Sequence, residues 1–137
     1  MLKNFLRLVS MMLFTAACSS APSGDVLEIN MEMREFSYTP STIEVRAGQL
    51  LRINLLNKGN IEHDFSITDI PTASKPKVAN TKHAHEMTGL EPYVHASAEA
   101  GAKNIVEFTP TKPGIYEFYC VIKGHKEEGM VGKLIVK

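Results

Sequence analysis

The chain lacks tryptophan, has only two cysteines among 137 residues, and carries no net charge, with 15 Lys+Arg against 15 Asp+Glu. Each shortage excludes a class. Two cysteines, Cys18 and Cys120, cannot build a disulfide-stapled scaffold. A balanced charge leaves no basic stripe to neutralise phosphates, so nucleic acid is not an expected partner. No GxGxxG or GxxxxGK[ST] string is present to cradle a nucleotide. Apolar residues at 44% and charged residues at 22% are ordinary for a globular domain, and the length suits one domain with a real core.

The apolar runs are short too. Lys3 and Arg7 precede an apolar stretch from Leu8 to Phe14, which ends in Thr15-Ala16-Ala17. A bilayer-spanning helix needs about 20 apolar residues. The order of charge, apolar run and small residues instead predicts an export signal over residues 1–17, in preference to a buried N-terminal helix. Cys18 follows directly, and Thr15-Ala16-Ala17-Cys18 resembles a bacterial lipobox, with Thr where Leu is usual. The resemblance implies lipidation of Cys18 and a mature chain tethered to a membrane through the flexible residues 18–25; plain cleavage with a stray cysteine is the alternative. The expected address is the periplasm or the exterior of the cell envelope. Loss of Lys3 and Arg7 leaves 13 cations against 15 anions, too weak a balance to name a partner.

From residue 26 to 137 the pattern is short strands and turns. Leu27, Ile29, Met31 and Met33 alternate with polar residues, as do Ile43 and Val45, and Leu51, Ile53 and Leu55. Met31 and Met33 share a strand face and read as core. Further strands are expected at Phe65–Ile67, Ile105–Phe108, Ile115–Cys120 and Val131–Val136. Many short strands at this spacing predict an all-β antiparallel sandwich or barrel. Residues 70–101, with Pro71, Pro76, Gly89, Pro92 and Gly101, break the rhythm and read as a long excursion between strands.

If Cys18 is lipidated, Cys120 is a lone thiol in an oxidising compartment: an inert core residue, a nucleophile or a metal ligand. Its neighbours decide. Cys120, His125 and Met130 stand at C-x4-H-x4-M, and Gly124 and Gly129 can turn that loop back on itself. His63 lies upstream at the start of a strand. Soft sulfur with imidazole suits copper, and two His, one Cys and a weak axial Met describe a blue-copper electron-transfer centre. Taken singly, each of these residues has an ordinary role as a turn histidine or a core methionine; the set is what points to metal. His83, His85, Met87 and His95 offer a possible second, weaker copper site, but two histidines at i, i+2 are a weak signal and a solvated loop is read in preference.

Residues 29–137 resemble the cupredoxins, the plastocyanin–azurin superfamily. The strings that carry the resemblance are Ile43–Gly48, Asn57-Lys58-Gly59, His63-Asp64-Phe65, Phe108–Cys120 and Gly124–Gly132. The C-x4-H-x4-M loop is similar to that of the rusticyanin and auracyanin types. The resemblance implies a Greek-key β-sandwich with His63, Cys120 and His125 as strong copper ligands and Met130 axial. It departs from the family at Asp64, where Asn or Ser is usual, and in the excursion at 70–101. Such a ligand set leaves no open position for substrate. The expected role is therefore a monomeric one-electron carrier between redox proteins such as a cytochrome or an oxidase, not an enzyme. Copper resistance or delivery on the same fold is the alternative. A binuclear copper site is excluded, because it needs two cysteines near this loop.

Overall fold

A computed structural model describes residues 25–81 and 93–137. The chain order is β1 (Leu27–Arg34), β2 (Ser37–Thr39), β3 (Thr42–Val45), β4 (Leu51–Asn57), β5 (His63–Ile67), β6 (Lys77–Val78), β7 (Val94–Ala98), β8 (Lys103–Phe108), β9 (Gly114–Tyr119) and β10 (Val131–Val136). One sheet runs β2-β1-β4-β8-β6 and the other β3-β10-β9-β5-β7. The all-β sandwich expected from the alternation is what forms.

Alternation puts one face of each strand inside. In β4, Leu51, Ile53 and Leu55 are buried while Arg52, Asn54 and Leu56 are partly exposed. The inner faces of the two sheets meet in a core that includes Met31, Met33, Ile53, Leu55, Phe65, Val106, Phe118 and Leu134. Met31 and Met33 are packing residues, as their period predicted.

Two features differ from the sequence expectation. Pairing is not uniformly antiparallel: β1 runs parallel to β4 and β3 parallel to β10. Strand periodicity reports which face is buried, not which way the neighbour runs. The stretch 70–101 is also not one structureless excursion. It contributes β6, and it contributes β7, which pairs with β5 along its whole length from His63↔Ala98 to Ile67↔Val94. Val94, Ala96 and Ala98 do alternate, but prolines and glycines on either side obscured so short a signal. Cys18, the signal segment 1–17, and His83, His85 and Met87 lie outside the described residues.

This layout makes β5 the most enclosed strand, with all five residues buried. It lies between β9 and β7. His63, Phe65 and Ile67 take the core face and Asp64 and Ser66 the other, by the two-residue period.

Candidate metal centre

Three segments converge at one end of the sandwich. His63 opens β5, Cys120 follows β9 directly, and His125 sits in the turn between Val121 and Gly129. That turn is self-bonded. His125 N–H donates to the Ile122 carbonyl at 3.0 Å, Glu128 N–H to Gly124 at 3.1 Å, and Gly129 N–H to Lys126 at 3.0 Å. Gly124 and Gly129 adopt φ of 89° and 101°, the left-handed region that any side chain would strain. Met130 closes the loop: its N–H donates to the His125 carbonyl at 2.9 Å and its carbonyl accepts the Cys120 N–H at 3.2 Å. Its side chain is fully buried.

The donor atoms face one another. His63 Nδ1 lies 3.3 Å from His125 Nδ1, and His125 Nδ1 lies 3.3 Å from Cys120 Sγ. All three lie within 4.8 Å of one another. Imidazole and thiolate bonds to first-row metals run about 2.0–2.3 Å, which separates donors around a trigonal ion by about 3.5–3.8 Å. The trio therefore fits a single ion, with two nitrogens and one sulfur that match copper. Among the described residues, no other three His, Cys, Asp or Glu side chains converge in this way.

Burial shifts the ionisation of these groups. The Cys120 thiol is pushed up to about 12, first by desolvation and then by the Asp64 charge, while hydrogen bonds from the Asp64 and Ile122 backbone pull the other way. His63 is lowered by desolvation and by the neighbouring His125, which favours the neutral imidazole that can ligate. A metal binding here displaces the thiol proton.

Neighbouring residues hold these groups in place. Asp64, fully buried, accepts the Val121 N–H at 2.9 Å and the Ser66 hydroxyl at 3.0 Å on Oδ1. The departure from the family at this position thus still ties the His63 strand to the Cys120 loop. Its backbone carbonyl accepts the Tyr38 hydroxyl. Asn57, also fully buried, donates to the Ile61 carbonyl at 2.7 Å and the Ala98 carbonyl at 2.9 Å, and accepts the Gly59 N–H at 2.9 Å. It fixes the loop that leads into His63. The β1–β2 turn supplies Phe36, whose ring meets His125 edge-on at 5.4 Å and 86°. Phe36 holds φ of 58°, an outlier for a bulky side chain.

His63, Cys120 and His125 are thus brought together as the sequence predicted, with Met130 bonded to two of their backbones. His95 stands apart from them. It is part of β7 rather than of a loop, and its Nε2 lies 3.8 Å from Asp64 Oδ2. Glu35 and Phe36 were not singled out from the sequence, and Asn57 entered it only as part of a family-like string. The Asn57-x-Gly59 spacing marks a turn, but nothing local shows that its amide is buried.

A sandwich with a convergent nitrogen–sulfur set at one end defines a class of copper-binding β-proteins. The sequence model of the cupredoxin-like domain matches residues 7–136, and the chain belongs to that family, with copper as its cofactor. It is 38% identical over 105 residues to the copper-resistant cuproprotein CopI of Rubrivivax gelatinosus, covering 73% of this chain and 59% of that protein, so it spans about three-fifths of that relative's length. It is 32% identical over 111 residues to plastocyanin of Dryopteris crassirhizoma, covering 81% of this chain and 98% of that one. In fold it is similar to auracyanin A, a blue copper protein of Chloroflexus aurantiacus, with a TM-score of 0.62 and 18% identity over 82% of this chain and all of that one.

Proposed function

We propose that this protein is an exported one-electron carrier with a mononuclear blue-copper site, held by His63, Cys120 and His125 as strong ligands and Met130 as the weak axial one. The convergence of two imidazole Nδ1 atoms and one thiol in a buried pocket carries this reading. Copper bound there supplies a reversible one-electron couple. The protein's part is to hold the donors still: the Asp64–Val121 bond and the Met130 backbone bonds fix both sulfur-bearing segments before any ion arrives. Burial of all four side chains would keep bulk water and substrate away from an ion held there, so a catalytic role is not proposed.

His125 is the expected electron door. It is the most exposed of the four, at 7%, and Phe36 rests against its ring. The exposed Phe36, against the His125 ring, and the half-buried Val121 and Ile122 beside Cys120 in sequence are the apolar residues offered to a transient redox partner such as a cytochrome or an oxidase. Residues 1–17 and Cys18 would place the carrier on the outer side of a bacterial membrane, lipid-anchored; a mass spectrum of the native membrane fraction tests this. Cyclic voltammetry with a cytochrome-exchange assay tests the carrier role, which requires reversible one-electron cycling and fast exchange.

Copper resistance or delivery is the second reading, favoured by the 38% identity to a protein named for copper resistance. Release of copper to an acceptor, and loss of copper tolerance on deletion, would support it over the carrier.

A further inference from the structure

The β1–β2 turn that carries Phe36 also carries Glu35. The two residues lie between Arg34 and Ser37, which pair across the hairpin. The Glu35 Oε1 atom accepts the Asn60 N–H at 2.6 Å, which brings the carboxylate to the loop before His63. A Cβ placed on Gly59 would lie 2.9 Å from Glu35 Oε1 and 2.9 Å from His63 Nε2. Only the missing side chain of Gly59 lets the carboxylate and the imidazole face each other across that point.

His63 Nε2 needs such a neighbour. Its Nδ1 faces His125, whereas Nε2 is buried and has no hydrogen-bond partner. Buried ring N–H groups are rarely left unpaired. A ligating imidazole usually passes its second N–H to a carboxylate, a carbonyl or a water. Asn57 Oδ1 lies farther from the same point, at 3.2 Å, and its amide oxygen carries no full charge. A carboxyl at its ordinary value is already ionised at neutral pH, and the Asn60 N–H bond holds that of Glu35 lower still.

We propose that Glu35 is a positioning residue of the copper site, its carboxylate accepting the His63 Nε2–H through one bridging water. This rests on His63 being a ligand. The contact fixes the tautomer that leaves Nδ1 free for metal. It also sets a negative charge behind the ligand, which favours Cu(II) over Cu(I) and lowers the reduction potential.

The test uses Glu35→Gln, which keeps an acceptor without the charge, and Glu35→Leu, which removes both. Two readouts are taken on the full chain. Voltammetry of the copper-loaded protein gives the potential. Nitrogen–proton NMR of the metal-free and Cu(I) forms gives the His63 Nε2–H resonance and its exchange rate. The expected result is a slowly exchanging Nε2–H in the wild type, retained in Glu35→Gln and exposed to fast exchange in Glu35→Leu. The potential should rise in both variants, by on the order of a tenfold shift in the Cu(I):Cu(II) ratio, about 59 mV for one electron. A lower melting temperature with unchanged potential and unchanged His63 exchange would overturn the proposal, leaving Glu35 as a staple for Asn60. A wild type that binds no copper would instead refute the copper-site reading, and the metal-free spectra would then decide whether Glu35 still holds His63.

Discussion

The Asp64 carboxylate accepts the backbone N–H of Val121 at 2.9 Å, so the residue after one proposed ligand is bonded to the residue after another. That single contact joins β5 to the loop that holds Cys120 and His125. It links two segments almost sixty positions apart in sequence, and it forms only once the second sheet has assembled.

Asp64 should therefore separate geometry from charge. Asp64→Ala leaves the buried Ser66 hydroxyl and the half-buried Val121 N–H without their acceptor, at a cost of about 1–3 kcal/mol, and should weaken the visible spectrum of the copper protein. Asp64→Asn keeps an acceptor for Val121 and removes the charge that opposes the Cys120 thiolate. Its stability should stay close to wild type while the reduction potential rises. Chemical denaturation and voltammetry check both arms. Equal potentials in wild type and Asp64→Asn would count against the electrostatic role.

Met130 tests the axial position. Met130→Leu conserves volume in a fully buried site, so its cost should stay under about 1.5 kcal/mol. Removal of the thioether should leave the blue colour in place and raise the reduction potential, because the axial donor tunes it. A potential identical to wild type would mean that the sulfur is not a ligand.

Gly132 tests the packing beneath the site. A Cβ there would meet Phe118 ring carbons at 2.2 Å and the Ser41 carbonyl at 2.7 Å. Phe118 is fully buried and stacks at 4.9 Å on Phe65, so it has little room to yield. Gly132→Ala should destabilise by about 1–3 kcal/mol, as other overpacked cores do, read from the denaturation midpoint. An unchanged midpoint would show slack between β9 and β10.

Much of this was legible in the sequence because the chemistry is local. Cys120, His125, Met130 and the two glycines lie within eleven residues, and the loop folds on its own hydrogen bonds. His63 was legible as a second imidazole at the start of a strand, but nothing near it names the strand it will join. β7 was hidden because Val94, Ala96 and Ala98 give three alternations between a proline and a glycine. The parallel pairings were hidden because register between distant strands leaves no local trace. Asn57 and Glu35 look like turn residues in solvent; only the folded chain turns one inward and brings the other up to His63.

The most direct test of the central claim is the visible absorption of the copper(II)-loaded chain, compared with Cys120→Ser prepared in the same way. The wild type should show one copper per chain and an intense sulfur-to-copper charge-transfer band, and the variant should lose that band. A colourless copper-loaded wild type, or a band that survives in Cys120→Ser, would contradict the claim that these side chains share one ion.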